Sequence, residues 1–554
     1  MPPVARLLSG LALTALLVAP ASARPFLYYR GILNAASFAP EGLPNGAIAR
    51  GSIFSLFGRD LGPAEPAIVS EFPLGASLAG VSVEVCRGED CRSALPLFVA
   101  AGQINAVLPS DAPLGRVAVR VSYDGEAGNW SPITVVESSV GLFAVNSAGF
   151  GPSVTQNFVS QTEQPINSRR VAARPGQIVT LWGTGLGAAL NPDRDAPFAG
   201  DLPVEVEIFV GGARVTNKLY SGRTPCCSGV DQIVFEIPAD APLGCYAPVL
   251  VRTNGTVVSN SVSMAISADG SACEDGFNPL VASLAGGGRV GSLLTAVFDV
   301  LREVDSEPAE PFTTELAGGY FVQPAMSDFY FNQLVMPPEG SCKTLAFRGD
   351  TLRGRAMNPV PDPSLDAGEA LTLNVGGRSL LVGRSLFPQS FLEVLSSAPT
   401  ADGEAVVREG DAVRTTAAGG ADVGNVEGEA TARAPLRIGD RAALTEVRSG
   451  RPLTLEWTPG DVQDQAVIWG EAYSVAHDAS GRFVCVTSAA AGALIVPDYI
   501  TAQLPATANR KWAVDAWIAL GVVSKSPPRA SAAGLDDAAA IFGAWQMNTV
   551  AVRD

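Results

Sequence analysis

Short runs that alternate apolar and polar residues, closed off by Gly, Pro and Asp, recur along most of the chain and predict strands. Gly80-Val-Ser-Val-Glu-Val85, Val117-Ala-Val-Arg-Val121, Ile133-Thr-Val-Val136, Val204-Glu-Val-Glu-Ile-Phe-Val210 and Gln232-Ile-Val-Phe-Glu-Ile237 are of this kind. One pattern is denser. Gly51-Ser-Ile-Phe-Ser-Leu-Phe-Gly-Arg-Asp-Leu-Gly62 holds five strand-forming residues between glycines and reads as a strand buried on most of both faces. It returns 125 residues later as Gly176-Gln-Ile-Val-Thr-Leu-Trp-Gly-Thr-Gly-Leu-Gly187. The glycines that follow each copy, Gly58 and Gly62, then Gly183 and Gly187, are expected to supply the backbone freedom for a fixed turn.

A second landmark fixes the organisation. Asp111-Ala-Pro-Leu-Gly115 is repeated without change as Asp240-Ala-Pro-Leu-Gly244, 129 residues on. Two landmarks at nearly one spacing indicate a duplicated domain, since the period is a domain length rather than a solenoid repeat. About seven short strands in each copy predict immunoglobulin-like β-sandwiches over residues 28–145 and 149–267. The expected class is all-β: tandem immunoglobulin-like sandwiches followed by one or two further β-rich domains, at 275–397 and 431–554. Between those lies a Gly/Ala/Asp-rich stretch, 398–430, expected to be mobile. The spacing in Val290–Val304 suits a helix or a strand, and its surroundings favour the strand. Asp536–Trp545 reads as holding a helical turn.

These motifs resemble a known module. Pro175-Gly-x-Ile-Val-Thr-Leu-x-Gly-x-x-Leu-Gly187, a Val-x-Val strand and a Pro-Leu-Gly turn entering the closing strand look like the IPT/TIG immunoglobulin-like domain. Leu33-Asn-Ala-Ala-Ser-Phe38, Pro96-Leu-Phe-Val99, Gly102-Gln-Ile-Asn105, Cys227-Ser-Gly-Val-Asp-Gln232 and Gly244-Cys245 are similar to a family of secreted bacterial proteins of acidobacterial type. The resemblance spans about residues 30–270 and continues more weakly in Leu365-Asp-Ala-Gly368 and Leu453-Thr-Leu-Glu-Trp457. The first repeat departs from it in lacking the Pro before Gly51 and the cysteines of the second. The resemblance implies a fold and an exported location, and it supplies no catalytic residue.

Composition narrows the function classes. The chain of 554 residues carries a net charge of −17, which argues against nucleic acid, because a phosphate backbone is met by a basic surface. Residues 1–23 read as an export signal: Arg6, the apolar run Leu7–Pro20, then the small-x-small site Ala21-Ser22-Ala23. No later run of ~20 apolar residues follows, so no membrane span is expected once the signal is removed. An exported chain makes its eight cysteines disulfide candidates. Cys86 and Cys91 bracket a hairpin tip. Cys226, Cys227, Cys245 and Cys273 allow three pairings, of which the adjacent pair is sterically the poorest. Cys342 and Cys485 are either a long-range pair or two free thiols, with the pair favoured.

Candidate chemistry is sparse. A Ser-His-Asp triad or multi-His metal site would rest on the one histidine, His477, which reads as an exposed hairpin-loop residue. Asn191-Pro-Asp-Arg-Asp195 with Asp201 clusters hard oxygen ligands suited to Ca²⁺, yet without a regular calcium-loop spacing, so an ordinary turn is favoured. Ala285-Gly-Gly-Gly288 lacks the Gly-Lys-Ser/Thr of a phosphate cradle. Asn129-Trp-Ser131 and Asn254-Gly-Thr256 match a glycosylation pattern mostly by chance. Trp130, Trp182, Trp457, Trp469, Trp512, Trp517 and Trp545 include candidate sugar platforms, although core roles are commoner. No cofactor or metal is expected. The sequence reading is an exported non-enzymatic binding or scaffold protein with a protein or glycan ligand. The rival is a carbohydrate-active enzyme with a carboxylate pair in the C-terminal half.

Overall fold

The computed structural model describes residues 24–554, except 277, 303–309, 325–327, 330, 332–333, 350–363, 386–389, 400–404 and 509–513. The export signal and Trp512 therefore lie outside the described residues. Strands dominate the rest.

In the first repeat the main strands are β1 (Phe26–Asn34), β2 (Ile53–Arg59), β3 (Val81–Arg87), β4 (Asp90–Val99), β5 (Gln103–Val107), β6 (Gly115–Tyr123) and β7 (Glu126–Val136). They run side by side in the order β1-β2-β5-β4-β3-β6-β7. The long β4 pairs with β3 through its first half and with β5 through its second, so one strand serves both layers of the sandwich. Alternation does the rest. Val81, Val83 and Val85 are fully buried while Ser82 and Glu84 face outward. They meet Phe54, Leu56, Ile104, Val119 and Val121 in one core. Trp130-Ser131-Pro132 does not break the strand as a turn would. It continues β7 after a bulge between Ala127 and Trp130.

The second repeat has β8 (Ile178–Thr184), β9 (Val206–Val210), β10 (Lys218–Arg223), β11 (Asp231–Glu236), β12 (Gly244–Thr253) and β13 (Val262–Ile266). Two separate sheets result, one centred on β8-β11-β10 and the other on β13-β12-β9. The duplication extends to hydrogen-bond register: Phe57 faces Gln103 in the first repeat, and Trp182 faces Gln232 in the second. Gly51 and Gly176 donate their amides to Leu108 and Ile237 at 2.8 and 2.9 Å. The shared turn closes alike, with Ala112 donating to Pro109 and Ala241 to Pro238. A bulge between Gly244 and Ala247 is what the second repeat adds to its closing strand.

The glycine expectation is corrected in detail. Positive φ belongs to Gly51 (67°) and Gly176 (78°) before the strand, and to Asp60 (55°) and Gly185 (104°) after it. Gly58 and Gly183 are needed for a different reason: a Cβ there would lie 2.2 Å from the Phe26 carbonyl oxygen and 2.5 Å from that of Gly141. Gly187 does take a positive φ, whereas Gly62 does not.

Residues 275–397 and 431–554 do not form two units. They share one eight-stranded sheet built from β14 (Val290–Arg302), β15 (Glu310–Val322), β16 (Ser341–Arg348), β19 (Ser390–Pro399), β22 (Asp464–Ser474), β23 (Ala479–Ser488), β24 (Ala516–Ser524) and β25 (Asp537–Thr549). Their order is β16-β23-β22-β24-β25-β14-β15-β19, with β14 and β25 parallel. The four strands of 431–554 lie side by side, with β16 of the first half on one side of them and β14, β15 and β19 on the other, and buried residues of both halves share one core. The second layer holds β17 (Ala370–Val375), β18 (Arg378–Gly383), β20 (Ala412–Ala417) and β21 (Val426–Thr431), in the order β18-β17-β20-β21.

Two expectations fail here. Asp536–Trp545 is strand, not helical turn: β25 is held on both sides by long partners, which overrides the helix preference of alanine. The described part of 398–430 supplies β20 and β21 to the second layer. Gly428 of β21 lies so close to the eight-stranded sheet that a Cβ would come within 2.7 Å of Leu293 and 3.2 Å of Ala540. Val290–Arg302 is a strand, as its surroundings favour.

Candidate functional site

Exposed aromatic residues paired with arginine stand on the outer surface of the first repeat. In β1, Leu27 is buried and the flanking Phe26 and Tyr28 are 41% and 48% exposed. The Asn129 side chain accepts from the Leu27 amide (2.8 Å) and donates to its carbonyl (3.1 Å), tying β7 to β1. The next residue, Trp130, is 44% exposed. The Asn129–Leu27 contact also occupies the amide that the glycosylation pattern would use. Register then lines up Trp130 with Arg120, and Arg120 with Glu84, across β7, β6 and β3. The Arg120 guanidinium lies 4.4 Å from the Trp130 ring centroid and 2.7 Å from the Glu84 carboxylate. Arg59 lies 5.0 Å from the Phe26 ring centroid in the same way. Each pair offers apolar ring surface next to a fixed donor, the combination that recognition surfaces use.

A second polar cluster is buried where the repeats meet. Arg223 and Asp231 form a 2.8 Å ion pair with side chains 2% and 0% exposed. Arg223 also donates to the Gly187 carbonyl (2.6 Å), and Asp231 accepts from the Leu186 amide (2.7 Å). Burial pushes the Asp231 carboxyl up to about 6, against the pull of the Arg223 guanidinium and the nearby amides. Around this pair, Thr184 Oγ1 accepts from the Ile53 amide (2.8 Å) and donates to the Gly229 carbonyl (2.6 Å). The candidate calcium ligands are not gathered. Asp193 instead takes the Ser110 amide and hydroxyl, both at 2.7 Å, and Asp201 accepts from the Ser221 amide at 2.8 Å. Asn191 bonds to carbonyls of its own loop. Among the described residues no group of three or more His, Cys, Asp or Glu side chains gathers as a metal site.

His477 sits in the β22–β23 hairpin loop, as the sequence indicates, but it is only half exposed. Its ring packs so closely on Gly42 of the first repeat that no Cβ fits there. Arg30 donates to the Ala476 carbonyl at 2.8 Å and to the His477 carbonyl, fixing the contact. His477, Gly42, Leu43, Pro505, Thr507 and Asp554 line part of a cleft of about 650 Å³.

Several acidic groups of the C-terminal unit are bound to arginine or to backbone. Asp299 pairs with Arg441 (2.8 Å), Asp464 with Arg433 (2.8 Å), and Glu471 with Arg482 (2.6 Å). Glu315, fully buried, accepts the amides of Val406 and Val407. Hydrogen bonds from the Gly368 and Ala421 amides hold the Asp366 carboxyl below the usual range. Buried Lys343, which the sequence does not mark, donates to the Val335 carbonyl, and burial beside Arg482 pushes its amine down to about 7. Trp469, Trp517 and Trp545 cluster on the sheet with ring centroids 5.6 and 6.2 Å apart. Trp517 and Trp545 are buried and Trp469 is partly buried. Trp457 is buried and bonded to the Ala489 carbonyl, and half-buried Trp182 is bonded to Gln156. Trp130 is the tryptophan that is exposed among the described residues.

All eight cysteines are bridged. Cys86–Cys91 and Cys342–Cys485 each join directly opposed residues of paired strands. The cluster of four resolves as Cys245–Cys273 and the adjacent pair Cys226–Cys227. The second overturns the ranking of that pairing as the poorest. The exposed loop between β10 and β11 carries both residues, and Cys245, buried in β12, has Cys273 within reach instead.

No family model matches the chain, and no curated protein does. It is similar to titin domains A168–A170 at 11% identity, over 68% of this chain and 91% of that one, with a TM-score of 0.13. The full extracellular region of plexin A4 matches at 14% identity over 43% of this chain, with a TM-score of 0.15, and the match spans 18% of the plexin chain. A Bacteroides ovatus protein, SGBP-B of a mixed-linkage glucan utilization locus, matches at 9% identity over 83% and 92% of the two chains, with a TM-score of 0.15. The fold assignment rests on the sheets described above.

Proposed function

We propose that the protein is an exported, non-enzymatic binding or scaffold protein whose IPT/TIG-like first repeat presents the recognition surface. The observation that carries this reading is the pair of exposed aromatic residues, Phe26 and Trp130, each with a guanidinium, Arg59 and Arg120, held against its ring. Exposed aromatic residues next to fixed guanidinium groups are the usual anchors of interfaces, and the ordered β1–β7 contact means little is lost in arranging them. The ligand is a protein or a glycan. Support for a location outside the cytoplasm comes from four disulfides and from residues 1–23. Among the described residues no helix is long and apolar enough to cross a membrane. The rival enzyme needs a carboxylic acid with a raised pKa facing a second carboxylate. Support against it is the commitment of Asp299, Asp464 and Glu471 to arginine and the lowered Asp366.

The experiment is an array of glycans and cell-envelope proteins, run beside a panel of glycosidase substrates. Binding without turnover is the expected result. Turnover abolished by one Asp or Glu substitution in 275–554 would establish the rival.

A further inference from the structure

Bridges between distant residues stabilise a fold chiefly by restricting the unfolded chain, and the effect grows with the length of loop closed. Cys342–Cys485 spans 143 positions and Cys245–Cys273 spans 28, and all four of these residues are 8% exposed or less. Cys226–Cys227 spans one position, so it closes no chain loop and adds little stability of that kind. Both of its residues are exposed, as is the preceding Pro225. Cys86–Cys91 differs again, since Cys86 is only 6% exposed.

The loop that carries the adjacent pair also holds the two repeats together. Within 224–230, the Val230 amide donates to the Cys227 carbonyl (3.2 Å), and Thr224 Oγ1 lies 3.4 Å from the Cys226 sulfur. Ser228 donates to the Asp193 carbonyl (3.3 Å), and Asp193 in turn holds Ser110 of the first repeat. The Gly229 carbonyl accepts from Thr184, whose oxygen accepts the Ile53 amide. Gly229 lies directly on the first repeat, where a Cβ would sit 2.6 Å from Ile53 and 3.3 Å from Val107. A bridge that fixes the backbone of residues 226 and 227 therefore fixes the loop on which Ile53 and Ser110 rest.

We propose that Cys226–Cys227 is a reversible thiol-exchange site, with a small dithiol as co-substrate, and that its oxidation state sets how firmly the repeats are joined. A thiolate of the dithiol attacks one exposed sulfur and forms a mixed disulfide, releasing the other cysteine as a thiolate. The second thiolate of the dithiol then closes on its own mixed-disulfide sulfur and releases the remaining cysteine. Two electrons and two protons pass to Cys226 and Cys227, and the dithiol leaves as its disulfide. Exchange with a soluble disulfide reverses the step.

The test titrates the full chain with dithiothreitol, traps thiols by alkylation and reads each cysteine by peptide mass. Amide hydrogen exchange is followed in parallel. Cys226 and Cys227 should become labelled at a dithiol concentration at least about tenfold below that opening Cys245–Cys273 or Cys342–Cys485. Exchange at Ile53 and Val230 should quicken at that same concentration. The Cys226→Ser, Cys227→Ser double variant should show the quickened exchange without any dithiol. Labelling of the buried bridges first, or together with Cys226 and Cys227, overturns the exchange site. Selective labelling with unchanged exchange at Ile53 overturns its link to the junction, and because both readings come from the native chain, they hold even if the variant fails to fold.

Discussion

The Phe209 ring of the second repeat lies 4.0 Å, centroid to centroid, from that of Tyr499 in the C-terminal unit, with the planes 17° apart. Both side chains are buried, at 6% exposure each, and the Arg252 guanidinium lies 5.5 Å from the Phe209 centroid. Arg252 also reaches the Asp498 carboxylate at 2.9 Å, but Asp498 is 42% exposed. Burial decides which contact holds the units together. Tyr499→Ala should cost about 3 kcal/mol, while Asp498→Ala should cost under about 1 kcal/mol. Denaturant midpoints of the two variants give the comparison, and equal losses would count against a packed interface.

Gly51 and Gly176 occupy equivalent positions with φ of 67° and 78°, but their surroundings differ. A Cβ on Gly176 meets only Glu236, at 3.8 Å, whereas one on Gly51 would lie 2.7 Å from the Gly187 carbonyl and 2.9 Å from Arg223. Gly176→Ala should cost about 1–2 kcal/mol from backbone strain alone. Gly51→Ala should cost more, because the junction must also shift. Thermal unfolding of the two variants checks the order.

The buried Asp231 gives the junction a pH dependence of definite sign. Its carboxyl titrates near 6 in the folded chain and at an ordinary carboxyl value once unfolded, so the folded state holds the extra proton between those values. Its contribution is present in full below about pH 4 and lost as pH rises through 6, a change of about 3 kcal/mol. Lys343 acts in the other range. Its amine is lowered to about 7, so stability rises from there toward the ordinary lysine value and is lost as pH falls through 7. Lys343→Met should flatten the alkaline rise between pH 7 and 10 and leave the acid arm unchanged, as read from denaturant midpoints across pH.

Much of the architecture was legible because each repeat writes its strands in alternation and twice. Val81 to Arg87 shows the pattern directly, with valines inward and Ser82 and Glu84 outward. The Ala412–Ala417 and Val426–Thr431 strands carry the same alternation, but Gly428 and Ala430 stand at inward positions where larger residues would have marked a core. The helical turn expected in Asp536–Trp545 is absent because the burial of Asp537–Thr549 is decided by Val290–Arg302, far away in sequence, and not by its own alanines. The exposed aromatic–arginine pairs were hidden for a similar reason: Phe26 meets Arg59, and Trp130 meets Arg120, only through strand pairing. Nothing local marks Arg223 and Asp231 as a buried pair, and adjacency alone made Cys226–Cys227 look unfavourable.

Cys342–Cys485 and Cys86–Cys91 are both cross-strand bridges, yet they close very different loops, with sequence separations of 143 and 5. Replacing both cysteines of the first pair by alanine should cost about 4–5 kcal/mol, and of the second about 2 kcal/mol. Comparison of unfolding midpoints for the two double variants checks the ratio.

The central claim is that recognition runs through the outer face of the first repeat. Trp130 is 44% exposed and stacked on Arg120, so its removal takes away ring surface without opening a core. The direct measurement is calorimetric titration of the intact chain and of Trp130→Ala with the strongest-binding component from the glycan and envelope-protein array. The account predicts a loss of affinity of about ten- to a hundredfold, with the melting temperature nearly unchanged. Equal affinity of the two chains for that component would contradict it.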